Sequence, residues 1–173
     1  MDAAKPIVNR VERSGLITLD LADYMPKQAD IVVIDLKQYL FKELILKEAD
    51  FRTAIGSADY SNCRGKYVVI HCSTNAIIPM WAYMLITTAV VPFALDVVCS
   101  PPEHAAEVFL YRQLQALPLN VFQDKRVLIK GCGDTTIPEA AFVYVTQRLT
   151  GVVRSLMYGE ACSSVPVYKK QVH

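Results

Sequence analysis

The chain has 173 residues, of which 53% are hydrophobic and 20% charged, and its net charge at pH 7 is +1. This length allows one domain with a full hydrophobic core. The balanced charge and the lack of a Lys/Arg run argue against nucleic-acid binding. An odd number of cysteines, five, argues against a disulfide framework, and the N-terminus has no apolar stretch typical of a secretory signal. We therefore expect a cytoplasmic protein.

The N-terminal third is predicted to form two strands and a helix. Residues 15–21 alternate apolar and polar side chains with the period of a half-buried strand, and residues 31–36 (IVVIDL) form a second strand. Because the connection between them is short, we expect these two strands to be antiparallel neighbours. Residues 47–57 have apolar side chains on one helical face and Gly56 near the end.

From Tyr67 onward the pattern alternates between strands and helices. The strands are nearly continuous apolar runs, such as YVVI and VLI, which is typical of a parallel sheet buried on both faces. Residues 163–168 add a short edge strand, where Pro166 would be tolerated. The sequence thus predicts a single α/β domain over residues 1–173. We expect a three-layer arrangement with a mostly parallel sheet, helices on both faces and an antiparallel N-terminal extension.

An internal duplication is the most informative feature of the chain. In residues 67–99 and again in residues 126–158, a strand is followed by a cysteine, a polar turn and a proline that opens a helix. The pattern places Cys72 and Cys132 at equivalent positions, at the carboxyl ends of two strands. Ligands of open α/β sheets bind at those ends.

Residues 72–95 contain no charged side chain, and such a run is long enough to span a membrane. Pro79 and Pro92 lie near its ends, and the duplicated segment carries Glu139 and Arg148. A helix buried in the core accounts for the run more simply, so we expect no membrane span.

Several cysteines are predicted to lie at one rim of the sheet. Cys72 and Cys132 follow strands directly, and the turn after Gly159 could bring Cys162 towards them. Thiolates are both nucleophiles and metal ligands, so these three sulfurs with His71 predict a site for zinc or an iron–sulfur centre. A water or Cys99 could also take the fourth place. Two alternatives stay open: free cysteines that act as small buried hydrophobes, and a reactive thiol without metal.

Two phosphate-binding motifs are incomplete. The H-C-x5-R loop of phosphatases would begin at His71, but Ile78 occupies the arginine position. The turn at Gly131 lacks the third glycine of a dinucleotide loop, which Thr136 replaces. The sequence does not predict nucleotide binding.

Short motifs distributed over nearly the whole chain resemble an uncharacterised bacterial family of unknown function. They are N-R-V from Asn9, S-G-L-I-T-L-D-L from Ser14, L-I-L from Leu44, D-F-R from Asp50, P-x-W-A-Y-M from Pro79, K-G-C from Lys130 and M-Y-G-E-x-C-S from Met157. The resemblance implies that Cys72, Cys132 and Cys162 are motif positions. It also implies a genomic association with iron–sulfur cluster assembly, but no catalytic residues.

The leading hypothesis is therefore a thiol- or metal-site protein for sulfur or iron–sulfur handling, with iron–sulfur assembly proteins as partners. The alternative is an interaction protein without chemistry. In that case the high mean hydropathy of +0.25 would reflect a homo-oligomer interface with structural cysteines.

Overall fold

The computed structural model describes residues 15–131, 136–160 and 162–171. The chain divides into two compact units. Unit 1 combines residues up to Tyr24 with those from Leu114 onward, and unit 2 is the continuous segment Met25–Gln113. That both belong to a single domain stays a prediction.

Unit 2 contains a parallel sheet with the strand order β2-β5-β6, formed by Ile31–Asp35, Tyr67–His71 and Asp96–Cys99. Its helices are α1 (Glu48–Ser57), α2 (Met80–Val90) and most of α3 (Ala105–Gln115). The side chains of the central strand β5 point alternately into two hydrophobic cores. Val68 and Ile70 pack with α1 and α2, whereas Val69 packs with Phe109 of α3. Unit 2 therefore has the predicted three layers, with helices on both faces of its sheet.

The uncharged run at residues 72–95 is divided among a loop, the 11-residue helix α2 and a turn. Ala82, Ile86 and Val90 on α2 are fully buried against the sheet. In the described part of the chain, no helix has both the length and the apolar character needed to cross a membrane.

Unit 1 contains a four-stranded sheet with the order β1-β7-β8-β9, formed by Leu16–Asp20, Arg126–Lys130, Ser155–Glu160 and Ser163–Lys169. The first three strands are parallel, and β9 is antiparallel to β8. Helix α4 (Glu139–Leu149) connects β7 to β8 and buries Ala141, Val145 and Leu149. The Arg148 guanidinium on α4 donates to the carbonyl oxygens of Leu114 and Gln115 at the end of α3.

The α/β class with parallel pairing is confirmed, but two details of the prediction are wrong. The parallel strands lie in two separate sheets, and the antiparallel extension of the parallel strands is at the C-terminal end and not at the N-terminal end. Strands β1 and β2 do not pair with each other. Each lies parallel to a central strand, β7 or β5, because pairing with a strand buried on both faces covers more apolar surface than a two-stranded hairpin.

A small hairpin in unit 2 has no counterpart in the sequence-based prediction. Strands β3 (Leu40–Phe41) and β4 (Ile45–Leu46) pair antiparallel. Its turn holds Lys42 and Glu43 at positive φ, a conformation that these residue types seldom adopt, and this is why no turn signal is visible in the sequence.

Candidate functional site

An open cleft of about 540 Å³ lies at the carboxyl ends of β5 and β6 in unit 2. The loops that follow the two strands form its walls, and α2 contributes Tyr83. Its lining residues are His71, Cys72, Ser73, Thr74, Asn75, Tyr83, Cys99, Ser100, Pro101, Pro102 and Glu103. This is the edge of a parallel sheet at which ligands bind in α/β proteins, so the cleft is the candidate functional site.

Two thiols lie in the cleft because neighbouring strands end beside each other. Cys99 is the last residue of β6 and pairs with Ile70, two residues before Cys72. Cys99 is exposed and Cys72 is half-buried. Burial raises the pKa of the Tyr83 phenol, and the negative charge of the Cys99 and Cys72 thiolates raises it further. The phenol therefore stays protonated near both sulfur atoms.

Thr74 holds the sulfur of Cys72 at one side of the cleft. Its hydroxyl oxygen lies 3.3 Å from the Cys72 sulfur and also accepts the backbone N–H of Ala76 at 3.3 Å. The thiol and the hydroxyl can each donate to the other, and when the sulfur is a thiolate the hydroxyl is the donor. A hydrogen bond of this kind is strongest when the sulfur is a thiolate.

Asp35, the last residue of the neighbouring strand β2, contacts two residues of the cleft, Ser73 and His71. One carboxylate oxygen accepts the backbone N–H of Lys37 at 2.9 Å and of Ser73 at 3.0 Å, and the other lies 3.8 Å from Nε2 of His71. Burial acts to raise the pKa of Asp35, but the hydrogen bonds from Ser73 and Lys37 and the nearby His71 together hold it below the usual value. The carboxylate thus fixes the loop that carries Cys72.

The predicted cysteine set is only partly described. His71 and Cys72 line the cleft, and Cys162 is exposed in the turn between β8 and β9 of unit 1. Cys132 lies outside the described residues. Within the described ranges no group of three His, Cys, Asp or Glu side chains could hold a metal ion. A metal site built from Cys72, Cys132, Cys162 and His71 therefore stays a prediction.

The strand register shows that the predicted equivalence of Cys72 and Cys132 is wrong by one residue. The duplicated segments of units 1 and 2 align without insertion. The strand pair Tyr67–Asp96 corresponds to the pair Arg126–Ser155. Further along, Ile78 corresponds to Ile137, and both are buried and precede a proline. In this alignment Cys72 corresponds to Gly131. A side chain at Gly131 would meet the Phe142 ring at 2.7 Å, so the thiol position of unit 2 has no counterpart in unit 1.

Cys99 was predicted only as an alternative fourth ligand, and Thr74 and Tyr83 were not predicted as site residues. Cys99 follows the apolar run of β6 as Cys72 follows β5, which is a signal that the sequence contains. Nothing comparable marks Thr74 or Tyr83, because their roles depend on the fold of the loop and on the packing of α2. Cys63, in contrast, is buried in the core of unit 2, and burial raises the pKa of its thiol.

A family model described as a protein of unknown function (DUF2480) matches residues 5–170 of the chain. Neither the curated proteins nor the solved structures include a significant match.

Proposed function

The chain belongs to the DUF2480 family of proteins of unknown function, and we propose that it is a cytoplasmic thiol-site protein for sulfur handling. Cys72 is its reactive thiol and Cys99 a second thiol in the same cleft. The observation that carries this proposal is the convergence of two accessible cysteines at the carboxyl edge of one parallel sheet.

The surroundings of Cys72 favour chemistry at sulfur over simple packing. A structural cysteine is enclosed by apolar groups, as Cys63 is. Cys72 packs partly against the same core, but it also lines an open cleft, lies 3.3 Å from the Thr74 hydroxyl and is near a phenol. Donors of this kind stabilise negative charge on sulfur, and the thiolate is the form that attacks sulfur electrophiles.

Thiol titration of the native protein with an aromatic disulfide reagent tests the proposal. We expect Cys72 to react faster in the folded protein than in the urea-unfolded chain, so that Cys72→Ser removes the fastest phase. Cys63→Ser is the matched control and should remove only the slowest phase, because Cys63 is 1% exposed. A native Cys72 that reacts no faster than it does in the unfolded chain would contradict the proposal.

The metal version of the same function uses Cys72, Cys132 and Cys162 with His71 as ligands for zinc or an iron–sulfur cluster. It implies an association with iron–sulfur assembly proteins. Metal analysis of anaerobically purified protein tests this version separately. We expect near-stoichiometric zinc or iron that is lost in Cys72→Ser, and metal-free protein with reactive Cys72 would leave only the thiol version.

A second candidate function, homo-oligomerisation without chemistry, is favoured by one exposed surface. Ile77, in the loop before α2, and Met80 and Met84 in α2 are 92%, 70% and 69% exposed, and methionine is enriched at protein interfaces. Sedimentation velocity at micromolar concentration tests this candidate: a dimer that Met84→Lys dissociates supports it, and a monomer excludes it.

A further inference from the structure

We infer that unit 1 contains a second binding site, for a small amphiphilic molecule with an apolar body and a cationic amine. The site is an open cavity of about 480 Å³ between α4 and the strands β8 and β9. Its lining residues are Ile129, Glu139, Phe142, Thr146, Leu156, Met157, Tyr158, Val165 and Val167. This volume and this mostly apolar lining with few polar groups are typical of small-molecule sites.

The cavity exists because unit 1 has a strand that unit 2 lacks. In unit 2 the sheet ends at β6, whereas in unit 1 the strand β9 extends the sheet beyond β8. Helix α4 leaves Val165 and Val167 on β9 uncovered, and they are 62% and 53% exposed. The floor of the cavity is thus apolar surface on two neighbouring strands.

The aromatic wall of the cavity is already formed. Phe142 contacts Tyr158 edge-to-face, with 5.6 Å between ring centres and an angle of 88°. Gly131 leaves room for the Phe142 ring, since a Cβ at this position would lie 2.7 Å from it. Because the two rings already pack against each other, they lose little conformational freedom when a ligand binds, and this adds to the affinity for an apolar ligand.

The charge of the lining residues indicates which class of ligand the cavity binds. Among the described residues that line the cavity, Glu139 is the one that carries a charge. At the corresponding position unit 2 has Met80, so the carboxylate is specific to unit 1. A carboxylate beside apolar walls attracts an ammonium or amidinium group and repels an anion.

A small molecule fits this cavity better than a strand from another chain. The open edge of β9 contains Pro166 in its middle, and proline in an edge strand usually turns its nitrogen to the unpaired side. The edge therefore presents an interrupted row of backbone donors, which weakens the addition of a further strand.

Binding of matched probes to the full chain tests the inference. We expect 4-phenylbutylamine to bind saturably with a dissociation constant of about 1 mM or lower, with amide shifts at Phe142, Thr146 and Val165 in NMR spectra. The anion 4-phenylbutyrate should bind at least about tenfold more weakly. Glu139→Gln should abolish this difference, and Val165→Trp, which fills the cavity, should weaken both probes.

Glu48→Gln is the matched control, because Glu48 is the first residue of α1 as Glu139 is of α4. It should leave both affinities unchanged. Equal affinity for amine and carboxylate, shifts that map elsewhere, or no saturation at millimolar concentration would overturn the inference. So would a dimer in sedimentation that Val165→Asp dissociates, since the occupant would then be a second copy of the chain.

Discussion

At the scale of single residues, the hydroxyl of Thr74 is the group that most directly affects the Cys72 sulfur. Thr74→Val replaces the donor with a methyl group of similar size. We expect the reaction of Cys72 with a disulfide reagent at pH 7 to slow about tenfold, because hydrogen bonds to charged groups contribute about 1.5–3 kcal/mol when fully shielded and less in an open cleft. Stopped-flow absorbance measures the rate.

Thr74→Ser is the rescue variant, since it restores the hydroxyl and should return most of the rate. Thr88→Val on α2 is the control, because the Thr88 hydroxyl donates to the carbonyl of Leu85 away from the cleft. If Thr74→Val and Thr88→Val react at the same rate as the parent protein, the hydroxyl does not stabilise the thiolate.

Asp35 gives a prediction for the pH dependence of stability. Its pKa in the folded protein is lower than the ordinary value of 3.8, so the carboxylate stabilises the fold above that pH. The stabilisation is lost as the pH falls through the lowered pKa. We expect Asp35→Asn to reduce the free energy of unfolding at neutral pH by about 1 kcal/mol, and urea titrations at successive pH values should show the difference disappearing in acid.

Asp59→Asn is the comparison for this prediction. The pKa of Asp59 is also lowered, chiefly by its hydrogen bonds with Ser61, but that partner is only two residues away. The Asp35 bonds join β2 to the loop after β5, so the loss on Asp35→Asn should be the larger. An equal or smaller loss would show that Asp35 does not anchor the cleft.

At the scale of elements, Gly131 and Phe142 together position α4 on its sheet. Gly131→Ala places a methyl group 2.7 Å from the Phe142 ring and 3.3 Å from Ile137. Overpacking of this kind costs about 1–3 kcal/mol, and we expect a corresponding fall in the free energy of unfolding measured with urea. Phe142→Leu in the same chain should recover part of the loss.

Gly56→Ala provides the opposite case. Gly56 lies in α1, and apart from the neighbouring helix backbone no atom of the described residues lies within 4 Å of the position a Cβ would take. Alanine forms helix better than glycine, so this change should stabilise the protein by up to about 1 kcal/mol. If Gly131→Ala were as harmless as Gly56→Ala, the contact with Phe142 would not restrain α4.

The helices and strands could be predicted where the hydrophobic periodicity is strong, but the pairing of the strands could not. Strands β5 and β7 are evident as apolar runs, and α1, α2 and α4 follow from their spacing and their prolines. The placement of β1 and β2 in two different sheets depends on contacts with β5 and β7, which lie more than 30 residues away in sequence. Local spacing carries no information about such partners.

At the scale of the whole molecule, the location of the candidate site could be predicted from the topology, but the residues that form it could not. The rule that ligands bind at the carboxyl ends of parallel strands predicted the rim that carries Cys72. Cys99 belongs to the same cleft because β6 is the neighbour of β5, a fact that only the strand order provides. The one-residue offset between Cys72 and Cys132 likewise required the strand register.

The sequence predicts a single domain over residues 1–173, and unfolding measurements on the two units test this prediction. The boundary between the two units, Gln113/Leu114, falls inside α3, and unit 1 takes β1 from before unit 2. Leu128→Ala in β7 removes a side chain that is 1% exposed and should cost about 2–5 kcal/mol. Trp81, the chain's only tryptophan, lies in unit 2 and reports unfolding there by its fluorescence.

We expect Leu128→Ala to lower the urea midpoint of Trp81 fluorescence as much as that of far-ultraviolet circular dichroism. Ile86→Ala on α2, a fully buried position within unit 2, shows the size of shift that a direct core defect produces. A Trp81 midpoint that stays unchanged in Leu128→Ala, with a separate earlier transition in circular dichroism, would mean that the units unfold independently. Cys72 reactivity in partly denatured protein would then depend on unit 2 alone.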